Sequence, residues 1–124
     1  MRASVLGFIS VGAVAAAVHY VVALLAHALG FQPSNANWLG FFAAFPVSYI
    51  GHRSWSFRGS QARHQQAFPK FLAVAVTGFL GNQALVWSAL TYTPMPFWFV
   101  LGVVMVMVAV STWLLSRFWA FKHG

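Results

Sequence analysis

Four long apolar stretches, separated by short segments richer in polar residues, set the pattern of hydrophobic positions along the chain. At about 1.5 Å per residue, each stretch forms a helix long enough to cross the roughly 30 Å hydrocarbon core of a bilayer. The first stretch exceeds the roughly 7–15-residue core of a signal peptide, which indicates a retained transmembrane helix. The pattern predicts an all-α membrane protein, one domain over residues 1–124, with helices over about 4–29, 37–57, 68–90 and 97–118.

Glycine and proline mark where these predicted helices end, bend and begin. Gly30 suits a helix C-terminus, and Pro33 follows it as a stop in the turn over residues 30–37. Pro46 lies inside the second stretch and predicts a kink near the middle of the membrane. Pro69 occupies a favourable first-turn position and predicts the start of the third helix.

The composition supports a membrane location and excludes most catalytic chemistry. Hydrophobic residues make up 60% of the chain and charged residues 6%, against roughly 25% charged residues in a soluble domain. The chain contains no Asp, Glu or Cys, which removes carboxylate acids and bases, the acidic member of a catalytic triad, and carboxylate or thiolate metal ligands. We therefore expect no enzymatic activity, no cofactor and no metal site.

The net charge of +7 is distributed on one side of the predicted layout. The turns over residues 30–37 and 91–96 carry no cation, whereas both termini and the loop over residues 59–67 carry them. The positive-inside rule then places both termini in the cytoplasm, in a multi-pass protein of the cytoplasmic membrane. Anionic lipids suit this charge, and nucleic acid does not, because the cations lie at the ends of apolar runs and form no continuous basic face.

A cationic–aromatic motif of arginine, tryptophan, phenylalanine and a second cation occurs twice at the same spacing. The first copy is Arg53, Trp55, Phe57 and Arg58, and the second, 64 residues later, is Arg117, Trp119, Phe121 and Lys122. His19 also matches Asn82 at an offset of 63. We infer internal repeats over about 5–58 and 68–122, each a helical hairpin, in parallel orientation about a pseudo-twofold axis along the membrane normal.

The chain resembles the GtrA-like family of small four-helix membrane proteins over nearly its whole length. The resemblance rests on Phe8-x3-Gly12, Ser48-Tyr49-x2-His52-Arg53-x-Trp55-x-Phe57 and Thr112-Trp113-x2-Ser116-Arg117-x-Trp119-x-Phe121. Family members often carry Asn-Phe-x-x-Asn-Arg before Trp-x-Phe, and here Ser48, His52, Thr112 and Ser116 replace those asparagines. The resemblance implies a protein that moves a polyprenyl-phosphate-linked monosaccharide across the membrane for cell-surface polysaccharide glycosylation, or presents it there, alongside a membrane-associated glycosyltransferase.

Arg53 and Arg117 are the first candidates for a binding site, with two interpretations. Each ends a predicted helix, where it can extend to the headgroups beside a tryptophan and anchor the helix. Alternatively, both guanidinium groups converge on one lipid phosphate, because the planar arginine fork binds phosphate oxygens bidentately. Arg58 and Lys122 would then add attraction for the phosphate or for anionic lipids, with the aromatic residues of the motif beside them.

His19 and Asn82 are polar residues at matching depth in the first and third predicted helices. Because polar side chains in a membrane need partners, both should face the interior of the bundle. They form either an interhelical hydrogen bond, for instance with each other, or part of a polar path for sugar hydroxyls together with Tyr20 and Gln83. Small residues are expected to let helices approach closely, namely Gly12, Ala16, Gly78 and Gly81.

Two other functions stay open at this point. One is a non-transporting anchor or adaptor that recruits a glycosyltransferase through the basic cytoplasmic face. The other is a small multidrug exporter, which has similar length and helix number but needs a buried anionic group that this chain lacks. A bundle this small encloses little room for a polar headgroup, so we expect a homo-oligomer or a groove open to lipid.

Overall fold

The structure is a computed structural model that describes residues 2–51 and 64–115. In this part the chain is all-helical, without strands, and forms α1 (Arg2–Ala28), α2 (Pro33–Gly51), α3 (His64–Tyr92) and α4 (Phe97–Leu115). The predicted fold class, all-α with four helices, is confirmed. The chain divides into two compact units, Met1–Phe79 and Leu80–Gly124, so the division falls inside α3.

α1 and α3 each contain an apolar span long enough to cross a membrane. The spans are Ile9–Ala28 and Leu72–Tyr92, and α4 adds a shorter apolar segment, Phe97–Ser111. Many large apolar side chains on these helices are exposed, among them Leu25, Val74 and Val106. Apolar surface on this scale is typical of helices that contact lipid or other protein.

α1 ends in a Schellman motif, as its glycine predicts. Gly30 has a φ of 106°, a left-handed conformation that favours glycine. Its N–H donates to the carbonyl of His27 at 3.0 Å, and the N–H of Phe31 donates to the carbonyl of Ala26 at 3.1 Å. These two bonds satisfy carbonyls that the helix end leaves unpaired.

α2 begins at Pro33, so the predicted start near Asn37 was wrong. Proline is well tolerated at the first helical position, because its missing N–H would have no partner there. The first helical hydrogen bond runs from the N–H of Ala36 to the carbonyl of Gln32, at 2.8 Å. The helix then continues through Pro46 to Gly51.

α3 begins earlier than predicted, at His64, and Pro69 therefore lies inside the helix. Because the nitrogen of Pro69 carries no hydrogen, the carbonyl of Gln65 loses its usual helical donor. The polar first turn nevertheless stays helical ahead of the proline. Other helix ends lie within two residues of the predicted bounds. They are both ends of α1, the end of α3 at Tyr92 and the start of α4 at Phe97.

α1 and α2 form a tightly packed antiparallel hairpin in the first unit. A Cβ added at Gly40 would lie 2.5 Å from the backbone oxygen of His19 and 3.2 Å from the Cβ of Ala23. A Cβ added at Gly51 would lie 2.7 Å from Cγ1 of Val11. Small buried residues occur along both helices, namely Ala15, Ala23, Ala36 and Ala44.

The glycines expected to permit close helix approach do not do so. A Cβ added at Gly12, Gly78 or Gly81 would meet no described heavy atom within 4 Å. The close approaches occur at Gly40 and Gly51 instead, where α2 lies against α1. Glycine composition alone does not distinguish the two groups, because the face that a glycine occupies depends on how the helices pack.

The second unit contains the end of α3 and all of α4. Val86, Leu101 and Val104 are buried in it. The two helices line an apolar groove of about 400 Å³, formed by Leu85, Ser88, Ala89, Thr93, Met95, Phe99, Val100, Val103, Val104 and Met107. In the turn between them, the carbonyl of Pro96 accepts hydrogen bonds from Phe99 and Val100 and so starts α4.

Candidate functional site

His19 and Asn37 form a buried polar pair between α1 and α2. Nε2–H of His19 donates a hydrogen bond to Oδ1 of Asn37, 2.6 Å away. The His19 side chain is 8% exposed and Asn37 is fully buried. Gly40, one turn after Asn37, brings the α2 backbone against His19 and so makes this short bond possible. A pair of this kind satisfies two polar groups that would otherwise each cost about 1–3 kcal/mol when buried.

His19 lies at the middle of a membrane-length span, and its partner Asn37 lies near the start of α2. Ten residues of Ile9–Ala28 precede His19 and nine follow it. Polar side chains are expensive at this depth of a bilayer and mark functional positions by default. The location therefore makes His19 and Asn37 the centre of the candidate site.

An open groove of about 160 Å³ lies beside the pair in the first unit. Its lining combines small, aromatic and polar residues: Ala15, Ala16, His19, Phe41, Ala44, Phe45, Ser48 and Ala75. The alanines leave the space, because a larger side chain at any of these positions would fill it. His19 and Ser48 are the polar members of this lining.

An aromatic cluster on α2 holds one wall of the groove in place. The ring of Phe41 stacks on buried Phe79 of α3, with centroids 4.6 Å apart and planes at 23°. Trp38 also contacts Phe79 at 4.6 Å. Phe45 stacks on Tyr49 at 6.5 Å with nearly parallel planes. Such contacts stabilise ring positions beyond simple area burial, so Phe41 and Phe45 line the groove as rings held in place by their neighbours.

The sequence matches the GtrA/DPMS transmembrane domain family over residues 7–121. This chain belongs to that family. No curated protein and no solved structure matches it. The match confirms the family resemblance and, together with the two apolar spans, shows a membrane protein.

The GtrA/DPMS domain places its predicted intramembrane polar residues in unequal settings. His19 is buried and hydrogen-bonded, but its partner is Asn37, which the sequence pattern placed at the border between the first turn and the second predicted helix. Asn82 is 5% exposed, and Tyr20 and Gln83 are half-buried. Their participation in a polar path stays a prediction.

Asn37, Phe41, Phe45 and Ser48 are the site residues that the sequence did not single out for this role. The signal for Asn37 was present, because an amide in a helix of a membrane protein needs a partner. It was hidden by the late start predicted for α2. The two phenylalanines gave no such signal, since aromatic residues are common throughout the chain.

The predicted phosphate-binding and aromatic residues of the GtrA/DPMS domain lie outside the described residues. They are Arg53, Trp55, Phe57, Arg58, Arg117, Trp119, Phe121 and Lys122. Their roles stay predictions from sequence. Among the residues that are described, no three His, Cys, Asp or Glu side chains lie close enough to share a metal ion.

Proposed function

We propose that this GtrA/DPMS domain protein binds a polyprenyl-phosphate-linked monosaccharide and translocates it across the cytoplasmic membrane. The observation that carries the proposal is the buried His19–Asn37 pair next to an open groove, with His19 at the middle of a membrane-length span. Transporters commonly place their substrate sites near the bilayer midplane, where polar groups replace the water that a headgroup loses. The family of transmembrane domains to which the chain belongs supports the same function.

The charge of the chain suits an anionic lipid headgroup. Seven cations and no carboxylate give the protein a net charge of +7. Arg53 and Arg117 therefore have no acidic residue of their own chain to pair with. A lipid phosphate supplies the missing charge, and two arginines that bind it bidentately hold it more firmly than lysines would.

The open form of the groove suits a lipid that crosses while its tail stays in the bilayer. A hydroxyl-rich sugar loses hydrogen bonds with water on entering the hydrocarbon, at about 1–3 kcal/mol for each unpaired group. Polar side chains along the route lower this barrier by replacing some of those bonds. A groove with one open side lets the isoprenoid chain remain among lipid tails.

Reconstitution tests the proposal. The full chain is purified and placed in liposomes that contain a radiolabelled polyprenyl-phosphate glucose or mannose on both leaflets. Periodate, a charged reagent that cleaves vicinal diols, is then added outside at low temperature. In protein-free liposomes the labelled lipid of the inner leaflet should be protected from periodate. In proteoliposomes all of the labelled lipid should become accessible to it.

A protein that binds the labelled lipid but leaves the inner half protected is not a translocator. That result supports the alternative function, a membrane anchor or adaptor for a glycosyltransferase. Co-purification with a glycosyltransferase, tested with the same preparation, separates an adaptor from an inactive sample.

A further inference from the structure

Two polar atoms in the lining of the groove have no hydrogen-bond partner among the described residues. His19 makes its side-chain bond through Nε2, which leaves Nδ1 as an acceptor, and Ser48 Oγ makes no bond. Every fully buried side-chain nitrogen or oxygen in the same part of the chain has a partner. Nδ1 of His19 and Oγ of Ser48 are therefore accessible from outside the protein interior, and both residues line the groove.

Unpaired polar atoms at this depth need an explanation. Helical serines in membranes usually satisfy the hydroxyl by donating to a carbonyl one turn earlier, as Thr77 does to Ala73 at 2.7 Å. Ser48 lacks such a bond, although its helix supplies the carbonyl of Ala44. Because the hydrocarbon region supplies no water, a polar ligand that enters the groove is one partner available to these two atoms.

The volume of the groove is comparable to that of one six-membered ring. Its volume is about 160 Å³. A cavity of roughly 150 Å³ accommodates a single six-membered ring such as benzene. The groove therefore has room for one monosaccharide ring.

The walls of the groove favour a pyranose over a flexible polar chain. Phe41 and Phe45 line the groove. The partial negative charge on an aromatic face attracts the C–H groups on one face of a sugar ring. The hydroxyls at the ring edge then meet His19 and Ser48. Aromatic faces and hydrogen-bonding groups together fit a molecule with one apolar face and a polar rim.

We propose that this groove holds the pyranose ring of the lipid-linked sugar, stacked on Phe41 and Phe45 and hydrogen-bonded by Nδ1 of His19 and Oγ of Ser48. Nδ1 accepts a bond from one sugar hydroxyl, and Oγ donates to or accepts from another. The Asn37 bond fixes the imidazole tautomer that makes Nδ1 an acceptor. The inference rests on the proposed function, which supplies the class of ligand.

The second half of the chain does not repeat the site. At an offset of 64, the positions of Phe41 and Phe45 are occupied by Met105 and Ala109. At an offset of 63, Asn82 replaces His19. The aromatic wall of the groove is therefore absent from the corresponding positions of the second repeat.

Equilibrium binding tests the site independently of transport. The full chain in nanodiscs is titrated with polyprenyl-phosphate glucose and, separately, with the same polyprenyl phosphate without sugar. The ratio of the two dissociation constants isolates the contribution of the ring. Ser48→Ala and Phe45→Leu are the informative variants, because neither residue takes part in the His19–Asn37 pair.

We expect each variant to weaken binding of the sugar-bearing lipid by about three- to tenfold, because one hydrogen bond or one stacked ring is lost. Binding of the polyprenyl phosphate without sugar should be unchanged. Ser88→Ala is the matched control, since Ser88 lines the groove of the second unit. It should alter neither affinity. Ser48→Thr keeps the hydroxyl and should retain sugar preference.

Two results would overturn the inference. Equal weakening of both lipids by Ser48→Ala and Phe45→Leu means that the groove holds the isoprenoid chain. No change in either affinity means that the sugar binds elsewhere. Binding is measured without transport, so the two proposals can fail separately. If the protein scrambles the lipid but neither substitution changes its affinity, the ring site alone is refuted. If the sugar binds in the groove but the lipid is not scrambled, translocation alone is refuted.

Discussion

Gly40 lies so close to His19 that a Cβ at position 40 would come within 2.5 Å of the His19 backbone oxygen. This approach brings α2 against α1 at the level of the His19–Asn37 bond. Membrane helices gain little from a hydrophobic driving force, so close backbone contact and interhelical hydrogen bonds determine how they associate. The site and the packing of the hairpin thus depend on the same few residues.

Gly40→Ala should destabilise the hairpin by about 1–3 kcal/mol, because the backbone atom that it meets cannot move aside as a flexible side chain would. Thermal unfolding of the purified protein in detergent, followed by circular dichroism, measures the change. Gly12→Ala is the matched control, since a Cβ there meets no described atom within 4 Å. It should be neutral or stabilise α1 by up to about 1 kcal/mol. Equal losses in the two variants contradict the close approach at Gly40.

Asn37→Leu should cost about 1–3 kcal/mol, because it leaves the Nε2–H of buried His19 without its acceptor. Leucine occupies the corresponding buried position, Leu101, in the second half, so it suits a buried helix face. A double-mutant cycle with His19→Leu should give a coupling energy of about 0.6–1.7 kcal/mol. Unfolding in mixed detergent gives the free energy of unfolding of the wild type, the two single variants and the double variant. If the stability losses of the single variants add up to that of the double variant, the two side chains do not interact.

Arg53→Lys and Arg117→Lys should each reduce lipid translocation by about tenfold or more, although the charge is kept. Lysine cannot bind two phosphate oxygens with a rigid planar fork. The periodate protection assay provides the rate, and Arg63→Lys in the loop over residues 59–67 is the control. Wild-type activity in the Arg53→Lys, Arg117→Lys double variant would rule out bidentate binding.

Both termini and the loop over residues 59–67 should lie in the cytoplasm. The chain has no cysteine, so single cysteines report accessibility without background labelling. In intact cells, an impermeant maleimide should label Gln32→Cys and Met95→Cys but label Gln61→Cys only after the membrane is opened. Labelling of Gln61→Cys from outside would reverse the predicted orientation.

Burial follows the predicted repeat at the centre of each half. In the first half, residues 19, 23, 36, 37 and 40 are buried, and in the second half so are residues 82, 86, 100, 101 and 104. The offsets are 63 for the first helix of each pair and 64 for the second, as the sequence matches indicate. Away from the centre the correspondence ends, since Val11 is buried and Val74 is exposed. Parallel orientation of the two hairpins stays a prediction.

The sequence by itself determined the helix number, the membrane class and the family. Long apolar runs predict membrane helices because a backbone in lipid must satisfy its hydrogen bonds internally. The family resemblance followed from the cationic–aromatic motif and its spacing. The sequence also identified His19 as a polar side chain that required a partner within the protein.

Only the tertiary structure decided which partner His19 has, which glycines bring helices together and where the groove lies. The physical reason is that lipid and neighbouring helices are both apolar, so a membrane helix shows little contrast between its buried and exposed faces. Gly12 and Gly40 look alike in sequence, yet a Cβ at Gly12 would meet no described atom within 4 Å, whereas a Cβ at Gly40 would meet a backbone oxygen. Their difference, and the place of Asn37 beside His19, arise from the register in which α1 and α2 pack.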